Sequence, residues 1–377
     1  MRKKKAERCQ SKEPEHRNQN TGMQPAMNEA NLPSGAEPAH RSAHRSGRDW
    51  VQILARYREP HHGRSALELG LTLVPLVVLF AIAWWLLSVS YLLAAAVAVV
   101  NAGFLLRAFA IQHDCGHASF FRSRGLSDWV GRGLGVLTLT PYDVWRRSHS
   151  IHHASSGNLD KRGIGDVMTL TVEEYYALSK WGRLRYRLYR NPLVLFGLGP
   201  AYLFILQNRL PIGFMRAGWS YWTSAMATNA AIALGLGLMI WWGGFMPLLL
   251  VWLPTALIAA TLGVWLFYVQ HQFEETHWKQ GEDWQLHDAA LEGSSHYVLP
   301  APLRWITANI GIHHVHHLYS RIPFYRLPEV LRDHPVLAES QRMTLWQSFR
   351  CTRLHLWDEK GRRLLSFASA RRLRMAG

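Results

Sequence analysis

Four stretches of the chain run apolar for more than twenty residues each, and polar, strongly basic sequence separates them. The first, ALELGLTLVPLVVLFAIAWWLLSV at 66–89, carries one charge near its start. At about 1.5 Å of rise per residue it is long enough for a hydrocarbon core of roughly 30 Å. YLLAAAVAVVNAGFLLRAFAIQ at 91–112 follows after a single residue, which predicts a tight helical hairpin. A second pair, 222–242 and 245–270, is joined by Gly243 and Gly244 and predicts another. A fifth apolar run, PLVLFGLGPAYLFIL at 192–206, is shorter and holds two Pro and two Gly, so it is expected to lie at the interface rather than to span. Residues 1–47 show no apolar periodicity and are expected to be disordered, because they cannot bury enough surface to offset the entropy of ordering. The pattern therefore predicts an all-α integral membrane fold over 48–340, with four transmembrane helices in two hairpins and a helical cap, and a basic C-terminal tail over 341–377.

Charge orients this arrangement. The chain carries 42 Lys and Arg against 26 Asp and Glu, and neither hairpin turn is charged. The basic residues gather in the N-terminal flank, in 142–190 and in the C-terminal hundred residues, which places all three, and both termini, in the cytosol. A nucleic-acid-binding protein would account for the charge and leave the four apolar runs unexplained. Three cysteines, Cys9, Cys115 and Cys351, are too few and too scattered for a disulfide framework and are expected to be reduced. The opening MRKKKAERCQ is charged and precedes no apolar stretch for some sixty residues, so no signal peptide is expected, and Met23 or Met27 is an alternative start.

Histidine carries the candidate chemistry. Of 20 in the chain, His113 and His117 stand at i, i+4 in HDCGH, at the end of the second apolar run. His149, His152 and His153 in HSIHH, and His313, His316 and His317 in HHVHH, repeat i, i+3, i+4. On a helix each set shares one face, so its imidazoles are expected to converge on a common ion. His271, at the end of the fourth run, completes about nine nitrogen ligands, more than one ion takes and suited to two. Imidazole alone does not choose among Fe, Zn, Cu and Ni. Asp114 reads either as an acceptor orienting a ligand or as a helix-end cap, and Cys115 as a packing residue. Asn309, one turn before His313, reads either as a further ligand or as structural. His314 is surplus to the spacing, and the scattered histidines, His277 among them, read as surface or structural. A histidine-rich transporter would place ionisable groups within the spans, which hold only Glu68 and Arg107, both near their ends.

The words around these histidines, QHDCGHASFF, WRRSHSIHHASSGNLDKRGIGD, FYVQHQFEETHW and NIGIHHVHHLYSRIPFYRLP, resemble the membrane fatty acid desaturases, and within them the bacterial acyl-lipid enzymes that include the oleate twelve-position branch. The resemblance covers roughly residues 50–340. It implies that His113, His117, His149, His152, His153, His313, His316 and His317 ligate two Fe ions, with His271 as the additional histidine, and that O2 is a co-substrate. It further implies a fatty acyl lipid as substrate, desaturated on the cytosolic side of a bacterial inner membrane. Related hydroxylases and ketolases would share the ligands. The chain has no haem, iron–sulfur or nucleotide signature of its own, so a separate electron donor is implied, ferredoxin or cytochrome b5-like. Arg146, Arg147, Lys161, Arg162, Arg183, Arg185 and Arg187 are the basic residues expected to dock it or to meet lipid headgroups.

Overall fold

The computed structural model describes residues 46–376. The expected disorder of 1–47 lies outside these residues except at its end, where Ser46 caps helix α1 (Gly47–Leu54) in a reciprocal capping box with Asp49. Two long helices follow, α2 (His62–Leu86) and α3 (Tyr91–Gly116), joined by a short turn in which the Ser90 hydroxyl accepts the Leu93 N–H. Helices α4 (Arg124–Leu137) and α5 (Tyr142–Ser155) pack at the far end of α3, and α6 (Lys180–Tyr189) comes next. The second hairpin is α7 (Trp219–Gly243) and α8 (Phe245–His271). Gly244 joins them at φ +68°, a conformation open to glycine at no steric cost. A Cβ on Gly243 would stand 2.1 Å from the Trp84 ring, so the two hairpins touch closely at their turns.

These four helices are the only ones among the described residues long and apolar enough to cross a membrane. They begin and end within about four residues of the apolar runs that predict them. Large apolar side chains such as Val77, Leu92, Leu234 and Trp241 stand exposed on their outer faces, as lipid-facing positions require. Both α3 and α8 start at an uncharged turn and carry histidine in or just after their last turn, so both bring their histidines to the same end of the bundle.

Residues 192–206 form an unbroken run of α and π turns that lies along α8. The Thr261 hydroxyl donates to the Phe196 carbonyl at 2.8 Å, and the Phe196 and Trp265 rings stand 5.1 Å apart. The π stretches Val194–Leu198 and Leu248–Trp252 each stop two residues before a proline, Pro200 and Pro254, whose missing N–H disrupts the regular ladder.

The cap is completed by α9 (Leu286–Glu292), α10 (His313–Leu318), α11 (Leu345–Cys351), α12 (Phe367–Ala376) and five short strands. Strand β1 (Leu170–Thr171) pairs in parallel with β4 (Leu356–Asp358), which pairs antiparallel with β5 (Arg363–Leu365). Strand β2 (His296–Val298) pairs in parallel with β3 (Arg342–Thr344). The segment expected as a basic tail, 341–377, is therefore folded over 342–376, supplying three of the five strands and two helices. Its strands are only three residues long, and each is stabilised by partners distant in sequence, which local hydrophobic patterning does not register.

Glu68 and Arg107, the two charges within the apolar runs of the first hairpin, are both about 1% exposed and bond each other. The Arg107 guanidinium also donates to the Thr72 hydroxyl at 3.1 Å and to the Trp305 carbonyl, and lies 4.2 Å over the Trp305 ring. A charge left alone in hydrocarbon would be costly; this pair is satisfied on several sides and ties α2 and α3 to the cap.

Candidate metal centre

Four separate parts of the chain meet at the junction of spans and cap. His113 lies in the last turn of α3 and His117 immediately after it. Helix α5 brings His149, His152 and His153, α8 ends on His271, and α10 brings His313, His316 and His317. The eight histidines singled out by spacing and His271 are brought together, in two groups whose ligand atoms lie within 4.8 Å of one another. The first group is His113, His117, His149, His153 and His316; the second is His152, His271, His313 and His317.

The grouping departs from the expectation that each sequence cluster serves one ion. In α5 the i, i+4 pair His149 and His153 faces the first group while His152, at i+3, faces the second. In α10 the roles are exchanged: His313 and His317 face the second and His316 the first. At 100° per residue, i+3 and i+4 fall on opposite sides of i, so one helix can straddle two sites. The two groups share a wall, with the His153 and His317 rings stacked at 4.1 Å between centroids.

Nε2 atoms face one another across each group. His117 to His149 is 3.0 Å, His149 to His153 3.1 Å and His153 to His316 3.1 Å in the first; His152 to His271 is 3.2 Å and His271 to His313 3.0 Å in the second. Nitrogens bound about 2.1 Å from one ion stand ~3.0 Å apart at right angles and ~3.4 Å apart at the tetrahedral angle. The observed edges fit that spacing. Burial, reinforced by neighbouring imidazoles, holds His117, His149, His152, His153, His313, His316 and His317 well below the ordinary histidine range, so they are neutral at pH 7 with a lone pair to offer.

Neighbouring groups set the ring orientations. His271 donates its Nδ1–H to the Gly293 carbonyl at 3.0 Å, which leaves Nε2 as the lone-pair nitrogen. Asp114 places Oδ1 3.4 Å from His113 Nδ1, and its Oδ2 accepts the Phe324 N–H at 2.7 Å, so it links α3 to the cap segment after α10. The His317 Nε2 is buried with no partner among the described residues. An all-nitrogen donor set of this kind fits two divalent first-row ions.

Two residues of the sequence reading fall outside the groups. Asn309 donates its amide to the Phe324 carbonyl at 3.2 Å, a structural use. His314 turns away and donates Nε2–H to the Leu337 carbonyl at 2.8 Å, and burial pushes its pKa down to about 3. The spans and 129–145 offer aromatic side chains as walls for an acyl chain without singling any out; Trp145 stacks on His149 at 4.7 Å, one turn earlier on α5, and joins Phe109 and Phe204 in an aromatic wall beside the first group. The i, i+4 spacing of Trp145 and His149 is the signal that would have found it. Of the seven basic residues expected to dock a donor, Arg146 pairs with Asp128 and Asp143, Arg162 with Glu174, and Arg187 donates to the Tyr175 hydroxyl. Arg147, Lys161 and Arg185 are exposed.

Comparison with known proteins places residues 83–349 in the match to the family described as fatty acid desaturase. A fatty acid desaturase of Bacillus subtilis (strain 168) is 44% identical over 323 residues, covering 85% of this chain and 90% of that protein. An sn-1 acyl-lipid omega-3 desaturase (ferredoxin) of Synechocystis is 31% identical over 64% of this chain and 68% of its own length. An sn-1 oleoyl-lipid 12-desaturase of the same organism is 27% identical over 67% of this chain and 69% of its own.

Proposed function

The chain belongs to the fatty acid desaturase family and is an oxidoreductase of the acyl-lipid desaturase kind, and from that premise we propose that it inserts a cis double bond into lipid-linked oleoyl chains, using O2, two iron ions and electrons from a separate donor. The observation that carries this reading is the pair of adjoining imidazole groups at the cap ends of α3 and α8, where an acyl chain entering from the bilayer would arrive. His113, His117, His149, His153 and His316 would hold one iron, and His152, His271, His313 and His317 the other. When bound, the irons supply the activation of dioxygen that an unactivated methylene requires, chemistry no side chain can provide. Zinc, redox-inert, would fill the same nitrogens without it.

The protein's part is placement. Trp145, Phe109 and Phe204 give the first group an apolar side against which a methylene run can lie. The ring orientations fixed by Gly293 and Asp114 hold the donor set in position. The printed names of the Synechocystis relatives support an acyl-lipid substrate, and one of them a ferredoxin donor. Exposed Arg147, Lys161 and Arg185 would steer an acidic donor to the cap. The uncharged turns at the opposite end, with the positive-inside rule, support a reading in which the centre and both termini face the cytosol and an inner membrane holds the chain.

The test is the fatty acid profile of a host expressing the chain with a compatible donor, read as methyl esters with double-bond location. A diene formed from oleate is the expected outcome. A bond at the omega-3 position of an existing diene would move the chain to the other relative's specificity, and no new unsaturation, with iron bound and donor coupled, would overturn the acyl substrate.

A further inference from the structure

His277 lies outside both imidazole groups, six residues beyond His271, and is 7% exposed. Its Nδ1 stands 2.7 Å from Oε2 of Glu292, whose side chain is 58% exposed at the end of α9. Its Nε2 is buried and has no partner among the described residues. His277 also lines a narrow cavity with room for about one ordered water. The cavity wall includes His277, Trp278, Thr276 and Ser156, and also His152 and His271 of the second group. The Ser156 hydroxyl is 3.4 Å from His271 Nδ1, so hydroxyls continue the polar lining up to the ligands. An imidazole thus meets a solvent-facing carboxylate and lines a cavity that reaches the candidate metal centre.

Desaturation gives this arrangement work to do. Reducing one O2 to two waters takes four electrons and four protons. The acyl chain supplies two of each as its two C–H bonds are lost, and the donor supplies the other two electrons. The remaining two protons must come from bulk water, while burial of the centre keeps water out. Resting on the desaturase reading above, we propose that Glu292 and His277 form the proton path into the second histidine group: the imidazolium, its Nδ1–H held by the Glu292 carboxylate, releases the Nε2 proton into the cavity and is left neutral with its hydrogen on Nδ1. The ring then turns about its Cβ–Cγ bond to present Nε2 to the surface side, takes a proton from bulk water there and turns back, so each cycle carries one proton inward. The charged groups around the path are Asp166 on the cavity wall and Lys279 and Arg362 near Glu292. The His277 hydrogen bond, ahead of those cations, holds the Glu292 carboxyl below the ordinary range, so it remains an anion that supports the imidazolium.

The test uses the full-length, iron-loaded protein with its donor. His277→Ala is expected to keep its metal and its double-bond position, to turn over at least about tenfold more slowly, and to regain rate when free imidazole is added. Glu292→Gln is expected to move the alkaline limb of the pH profile to lower pH, because the imidazolium loses its carboxylate. A second readout needs no turnover: exchange of the His277 ring C2 hydrogen for deuterium in metal-free protein, followed by mass spectrometry across pH. Its midpoint is expected to fall in Glu292→Gln while exchange at the nine clustered histidines is unchanged. An unmoved midpoint, or a slow His277→Ala enzyme that keeps its metal and is not rescued by imidazole, overturns the path. Should His277→Ala lose its metal, the surface variant Glu292→Gln carries the test by its pH profile and midpoint. If the wild type yields no unsaturated product, the desaturase reading itself fails, and the exchange midpoint still reports whether Glu292 governs protonation of His277.

Discussion

His314 and His316 are two residues apart on α10, equally buried, and spend their nitrogens differently. His314 donates to the Leu337 carbonyl and packs against His296, while His316 turns Nε2 toward His153 at 3.1 Å. Replacing His316 or His152 by alanine is expected to abolish product and remove about one iron per chain while the protein still inserts in the membrane. His314→Gln, able to donate to the same carbonyl, is expected to keep both irons. Metal analysis of membrane-extracted variants reads the outcome, and product formation in His152→Ala or His316→Ala would remove those residues from the donor set. Eight of the nine clustered histidines were legible because histidines sharing one helix face leave their spacing in the sequence, and His271 because it closes an apolar run. The division of each HxxHH between two sites was not, since it depends on which way α5 and α10 are rotated against each other. Nor was His277, which has no spacing to mark it and gains its position from the packing of α9.

At the scale of elements, the spans were readable because a helix facing lipid has to be apolar all round, a strong local signal. The C-terminal segment was not, because its stability is nonlocal. Arg190, about 1% exposed, has no carboxylate partner among the described residues; it donates to Gln272 Oε1 and the Leu354 carbonyl, each at 2.9 Å, and to the Tyr268 hydroxyl at 3.2 Å. Tyr268 in turn donates to the carbonyls of Cys351 and Leu354 at 3.0 Å. Truncation after residue 341 would strip β3 from β2 and β4 from β1 and leave the buried guanidinium short of acceptors. A buried charge that loses part of its compensation costs about 3–5 kcal/mol. The truncated chain is accordingly expected to aggregate or to melt well below the full-length protein in detergent, as followed by thermal unfolding. A dispensable tail would leave melting unchanged. Spacing also matters at the α4–α5 contact, where a Cβ on Gly131 would fall 2.3 Å from the Tyr142 ring, at the root of the helix that carries three of the histidines.

For the whole molecule, nine imidazoles drawn from four distant segments would couple metal binding to folding. The folded-state pKa values of the histidines outside the spans lie far below the value near 6.5 that they would have in an unfolded chain. Between those two limits the unfolded state binds more protons, so stability rises with pH. The contribution is complete above about pH 6.5 and is lost progressively as pH falls below it toward the folded values. Metal enters the same balance, because each ion needs unprotonated nitrogen and binds the folded chain in preference: a site held at a hundredfold excess over its Kd adds about 2.7 kcal/mol. Chelation at pH 7.5 is therefore expected to lower the melting temperature, and acidification to pH 5.5 to lower it further in the metal-free protein. The loaded protein should hold its melting temperature over the upper part of that range and then release metal and lose stability together, because protons must displace the ions before the unfolded chain can gain from binding them. Differential scanning fluorimetry with and without chelator, alongside metal release measured at each pH, separates the two contributions. Equal melting temperatures with and without metal would mean that the nitrogens meet for packing alone.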